Sequence, residues 1–204
     1  MKFRKLMLVL TFTVSIIFVT VIGATYAYYY TSSGSVGGTA GNFNSSLGIV
    51  FNNSDHINFF TGIPISSSEI DTKANTTTFT LTPSNVIISD YDVNVDINLS
   101  NIDIDNELKV NSFKYKLKCV HSITGNEQVF SGDASSFTNS SYTIASLSST
   151  INGNNGFYID RSANSQSYSC TFYVWLEETN SNQNTLMNKH FGANIEINSV
   201  VKKR

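Results

Sequence analysis

Charge is scarce in this chain: Asp, Glu, Lys and Arg together make 14% of it, against ~25% in an ordinary soluble protein. The 13 basic residues are nearly balanced by 15 acidic ones, for a net charge of −2. No basic field is left to hold a phosphate backbone, so nucleic acid is not an expected partner. Prolines number two, so the turns must be made by Gly, Asn and Ser. Two cysteines cannot make a disulfide-dense scaffold, and with no Cys-x-x-Cys they carry neither a redox motif nor half a zinc site. The three histidines, His56, His121 and His190, stand far apart, with no His-Glu-x-x-His among them. A Gly-x-Ser-x-Gly elbow and a phosphate-cradling glycine loop are also missing. No catalytic residue, metal ligand or cofactor is assigned, and the chain reads as a non-enzyme.

Polar surface comes instead from Asn, Ser and Thr, and the one long apolar run lies near the start. Lys2, Arg4 and Lys5 precede the uncharged stretch LMLVLTFTVSIIFVTVIGATYA at 6–27, followed by Tyr28, Tyr29 and Tyr30. Basic residues before an apolar run hold that end in the cytoplasm and send the remainder across the membrane. The run is long enough to span a bilayer, which takes roughly 20 apolar residues, yet it ends in the small residues a signal peptidase needs. Cleavage after Ala24 or Ala27 and retention as an anchor over 6–27 both remain open. Either way the membrane and the export machinery are partners at least in passing, and the rest works outside the cytoplasm or at the cell surface. Residues 1–30 are thus signal or anchor. The tract 31–46, TSSGSVGGTAGNFNSS, is a soft Gly/Ser linker or a weak first strand. Residues 47–204 are long enough for one domain with a real core.

Within that domain the dominant period is two. Tyr91, Val93, Val95, Ile97 and Leu99 alternate with Asp92, Asn94, Asp96 and Asn98, as in a strand with one face on a core and one in water. Phe113, Tyr115, Leu117 and Cys119 alternate with three lysines, and the turn SITGNE leads to a partner near Val129 and Phe130, a predicted hairpin. Tyr168, Cys170, Phe172, Val174 and Leu176 line one face of a further strand, and Phe191, Ala193, Ile195 and Ile197 one face of the last. Earlier strands are predicted at 47–51, 57–60 and 76–81, while 141–147 reads equally as helix or strand. Many short strands divided by turn residues predict an antiparallel β-sandwich of jelly-roll type.

Cys119 and Cys170 each sit on the apolar face of a predicted strand in an exported chain, where a disulfide is permitted; two buried thiols are the alternative. Tyr173 and Trp175 fall on the opposite face from Phe172 and Val174. They form an exposed stacking pair for a sugar or a protein, unless another layer, a loop or the segment near Leu147 covers them. Apolar residues on both faces place that strand centrally in its sheet. Asp103, Asp105, Asn106 and Glu107 offer oxygens of the kind calcium takes, but without the turn glycine of an EF-hand they read as a solvated loop.

The leader end ATYAYYYTSS, the stretch TTTFTLTPSNVIISDYDVNVDINL at 76–99 and the late NQNTLMNKHFGANIEINSV together resemble the TasA/camelysin-like exported proteins of Gram-positive bacteria, whose leaders are cut by the SipW type of signal peptidase. Lys189, Phe191 and Gly192 match the family's late Lys, aromatic and Gly. Around Pro83, Ser84 and Asn85 the chain departs from the family's Asn-x-Gly turn. The resemblance implies a jelly-roll-like domain and a biofilm-matrix or surface role, with self-assembly or matrix partners. The function expected from the sequence is therefore an exported structural protein, assembling through strand edges. The alternative is a membrane-anchored binding module for a glycan or protein, and a third reading is a secreted hydrolase with an unrecognised site.

Overall fold

The computed structural model describes residues 49–53, 57–83, 91–138, 140–150, 152–163 and 165–203. The leader, both cleavage points at Ala24 and Ala27, the Gly/Ser tract and His56 lie outside them. Nine strands are described: β1 (Ile49–Asn53), β2 (Ile57–Phe60), β3 (Asn75–Pro83), β4 (Tyr91–Ile104), β5 (Phe113–His121), β6 (Glu127–Asp133), β7 (Ser141–Ser148), β8 (Tyr168–Leu176) and β9 (His190–Lys203), with one four-residue α-helix, α1 (Ile70–Lys73), and four 3-10 turns. They form an antiparallel β-sandwich, one sheet in the order β1-β3-β8-β5-β6 and the other β2-β9-β4-β7. None of the described helices is long and apolar enough to cross a membrane.

The strands arise where the period of two is cleanest. From Tyr91 to Leu99 every second side chain of β4 is buried, and Val95, Ile97 and Leu99 are fully so. Their polar neighbours face outward, where they form a ladder with β7. Ser148 Oγ donates to Asn94 Oδ1 at 2.5 Å, Ser146 Oγ to Asp96 Oδ1 at 2.7 Å and Thr143 Oγ1 to Asn98 Oδ1 at 2.6 Å. The second half of β4 shifts parity. Asn101 takes a left-handed φ of 49°, the register against β9 shifts between Ser100 and Asp103, and Ile102 and Ile104 then face inward, as a β-bulge requires. The segment 141–147 is a strand. Its ambiguity has a physical source: the register on β4 shifts between Ile97 and Asn98, so Ile144 and Ala145 are buried side by side.

β8 is the middle strand of the five-stranded sheet, which agrees with its apolar residues on both faces. Rings stitch the two sheets together: Phe113 of β5 meets Phe191 of β9 edge-on at 5.5 Å, and Tyr115 Oη donates to Tyr142 Oη of β7 at 3.3 Å. Tyr115 lies over Gly132 of β6, its cross-strand partner. A Cβ at Gly132 would stand 2.6 Å from the Tyr115 Oη and 2.7 Å from its Cζ. The ring has nowhere to retreat, because Phe137 stacks on it at 5.6 Å and Phe172 at 6.0 Å. Gly132→Ala is therefore expected to destabilise the domain by about 1–3 kcal/mol through overpacking; an unchanged melting temperature would show that the ring is free to move.

Candidate functional site

β5 ends at His121, and the tight turn after it is closed by Gly125 N–H donating to His121 O at 2.9 Å and His121 N–H to Asn126 O at 3.0 Å. The His121 ring is buried. Thr124 N–H donates to its Nδ1 at 3.2 Å, so Nδ1 is the acceptor. Nε2 then carries the proton and donates to Gln166 Oε1 at 3.2 Å. The Gln166 amide also braces a second loop, accepting from Asp160 N–H at 2.8 Å and donating to Asp160 O at 2.9 Å. The hydroxyl and backbone N–H of Ser162 hold the Asp160 carboxyl below its usual range. Around His121 stand two tyrosines: Tyr158 edge-on with centroids 5.2 Å apart and Tyr168 at 4.9 Å. Tyr168 donates its hydroxyl to Tyr158 O at 3.2 Å, and burial pushes its own pKa up to about 12. This scaffold fixes Tyr158 from behind while leaving 43% of it exposed.

Tyr158 borders a cleft of about 680 Å³ between the β5–β6 turn and the connection from β7 to β8. From the turn comes Asn126 and from the start of β6 Glu127 and Gln128; from the connection come Asn152, Asn154 and Arg161. The connection is rigidly seated. Ser148 N–H donates to Asn155 O and Phe157 N–H to Ser148 O, both at 2.9 Å, and the buried Phe157 ring stacks on Tyr168 at 4.7 Å. Asn154 Oδ1 accepts from Val129 N–H at 3.4 Å, tying the connection to β6.

The cleft has two charged groups, and both are engaged. Glu127 pairs with Lys118 at 2.7 Å, while Arg161 donates to Tyr91 O at 3.0 Å and reaches Asp92 Oδ1 at 3.4 Å. What stays open for a ligand is uncharged: carboxamides, a hydroxyl and the Tyr158 ring. Gln128 Oε1, although its residue lines the cleft, is buried away from solvent without a hydrogen-bond partner among the described residues.

Cys119 and Cys170, directly opposed in the β5–β8 register, are joined in a disulfide with Cα atoms 4.0 Å apart, fully buried on the inner face. Of the outward aromatic pair, Trp175 is not exposed, as the covered alternative has it: it is only 7% exposed although it stands outside the core between the sheets, and Tyr173 is half-buried beneath Lys116 Nζ, 4.4 Å above its ring. The connection between β2 and β3, a loop as one of the alternatives had it, runs beside the end of β8 and reaches over the outer face at α1. Ile65 N–H donates to Leu176 O and Glu178 N–H to Ile65 O, both at 2.9 Å, and Asp71 of α1 pairs with Lys116 at 2.8 Å.

The acidic loop acts as a corner piece. Asp105 accepts from His190 N–H at 2.8 Å, Glu107 pairs with Lys189, Asp103 lies 3.5 Å from His190 Nδ1, and Asn106 opens a 3-10 turn. Among the described residues no three His, Cys, Asp or Glu side chains gather as metal ligands would.

The chain matches no family model and no curated protein. Solved structures that are similar include a carbohydrate-binding module that recognises mannan, at 11% identity, covering 88% of this chain and 92% of that one with a TM-score of 0.33. A xylan-binding module follows at 10% identity, 85% and 92% coverage and a TM-score of 0.30. A xylanase from Cellvibrio japonicus in complex with xylopentaose has 9% identity over 84% of this chain and 27% of that chain, with a TM-score of 0.29. At these values the likeness carries no functional argument.

Proposed function

We propose that this chain is an exported, non-enzymatic binding module that takes a neutral glycan in the cleft beside Tyr158. One observation carries the reading: a half-exposed aromatic ring, packed edge-on against His121 and with its backbone carbonyl held by Tyr168, borders a cleft whose remaining groups are mostly carboxamides and whose charges are already paired. A sugar ring offers a face of C–H groups that stacks on an aromatic, and a rim of hydroxyls that both donate and accept. Carboxamides answer both roles, having two donors and an acceptor each. An acidic polymer would need an unpaired cation, which this cleft does not supply. The apolar run at 6–27 behind Lys2, Arg4 and Lys5 supports export and placement at the outer surface, anchored or released. A second reading, assembly as a matrix component, is favoured by the sheet edges: among the described residues β1, β6, β2 and β7 each have one neighbour.

Affinity electrophoresis of the exported protein against neutral and acidic polysaccharides tests the glycan reading. Retardation by at least one neutral polymer is expected, and Tyr158→Ala should weaken it about tenfold, a loss of ~1.4 kcal/mol. Phe60→Ala is the control. Phe60 is 65% exposed and pairs with the first residue of β9, whereas Tyr91, which takes the Arg161 bond beside the cleft, pairs with the last. Binding only to acidic polymers, or equal loss from both variants, would reject the assignment.

A further inference from the structure

The chain contains two Asn–Gly pairs, Asn152–Gly153 and Asn155–Gly156, both in the connection that forms the cleft wall. An asparagine before glycine is the sequence most open to spontaneous loss of its amide, because glycine has no side chain to block its own backbone nitrogen. We propose that Asn152 is a self-modifying site, and that its conversion to a carboxylate turns the uncharged cleft wall anionic as the protein ages. In the reaction the deprotonated backbone nitrogen of Gly153 attacks Asn152 Cγ. An N–C bond forms, the side-chain nitrogen leaves as ammonia, and a five-membered imide remains. Water then opens either carbonyl of that ring, giving aspartate or isoaspartate. One water is consumed, one ammonia is released and no oxidant enters.

The structure separates the two pairs. Asn152 and Gly153 are both exposed, a Cβ built on Gly153 would meet nothing within 4 Å, and the Gly153 N–H has no acceptor among the described residues. Gly153 holds a φ of +100°, a conformation free to glycine. Room and a free nucleophile are thus both present. At the second pair the attacking nitrogen is occupied: Gly156 N–H donates to Gly153 O at 2.9 Å. Gly156 is also buried and bridged to Ser148, and the peptide is clamped by Ser148 N–H on Asn155 O and by Phe157 N–H on Ser148 O. Asn155 cannot swing its Cγ onto that nitrogen without opening the end of β7. A carboxylate formed at residue 152 meets a cleft whose cation, Arg161, is already held by Asp92, so the added charge stays uncompensated.

The test is incubation of the native, disulfide-intact protein in mildly alkaline buffer, with peptide mapping by mass spectrometry at intervals and isoelectric focusing of the whole chain. The urea-unfolded chain runs in parallel. Expected are progressive conversion of Asn152 to aspartate and isoaspartate, an intact Asn155, and a matching acidic band that Asn152→Gln removes; in urea both asparagines convert. Equal conversion of the two in the native protein, or conversion of Asn155 alone, would overturn the proposal, as would an Asn152 that persists in the folded state while converting in urea.

Discussion

Loss of the folded state is the expected result of Val95→Asp. Val95 is fully buried at the centre of β4, the strand that pairs on both sides, with β9 and β7. A carboxylate there has no partner within the sandwich, and the choice between burying it charged and protonating it costs several kcal/mol in either case. Against a total stability of about 5–15 kcal/mol for a typical domain, that is decisive. Asn94→Asp, one residue away, keeps an acceptor for the Ser148 hydroxyl on the outer face and is expected to melt within a few degrees of the parent. Circular dichroism melts of the two variants check the pair. Equal damage would mean that both faces of β4 are buried.

The second large effect comes from the disulfide. Cys119 and Cys170 are 51 residues apart in sequence, and closing a loop of that length restricts the unfolded chain by about 4 kcal/mol in the chain-entropy picture. The loop encloses β6, β7 and the whole cleft wall. Urea unfolding of the oxidised protein and of the Cys119→Ala, Cys170→Ala double variant measures this. A shift of the midpoint to much lower urea is expected, with no free thiol in the parent. Coincident curves would contradict a stabilising bridge. Since both sulfurs are fully buried, a reductant should reach them only as the domain opens, so reduction in native buffer is expected to be slow.

Most of the sandwich could be read from alternation, for a definite reason. β4, β5, β8 and β9 each bury one face against a common core, and a buried face writes its period directly into the sequence. Where a bulge breaks the period, the signal fails. Ile144 and Ala145 are both buried in β7, which made 141–147 unreadable as either helix or strand; Asn101 does the same to the second half of β4. The apolar outer face of β8 announced that something covers it. The placement of 65–71 beside β8 was not legible, because it is held by two backbone bonds of Ile65, a Ser67 bond to Glu177 and one ion pair of Asp71, and these leave no period. The cleft left the least trace. Its residues come from the end of the β5–β6 turn with the start of β6, at 126–128, and from the polar connection at 152–161, brought together by the antiparallel return of β5 to β6, the seating of residues 155–157 on β7 and the Asn154 bond to Val129. Asn, Gly and Ser in such connections are what any turn would use. Tyr158, an aromatic among these polar residues, was not singled out in the sequence, because His121, whose ring packs against it, lies 37 positions earlier at the end of another strand.

The most direct test of the cleft as a glycan site is backbone amide chemical-shift mapping while a neutral oligosaccharide is titrated into the protein. The expected result is saturable shifts confined to residues 126–128, Ser149, residues 152–161 and their partner Asp92, with Phe60, Ile63, Asp96 and Asn98 unmoved. Shifts at Phe60 and Ile63 or at Asp96 and Asn98 with a silent cleft, or none with any neutral oligosaccharide, would contradict it.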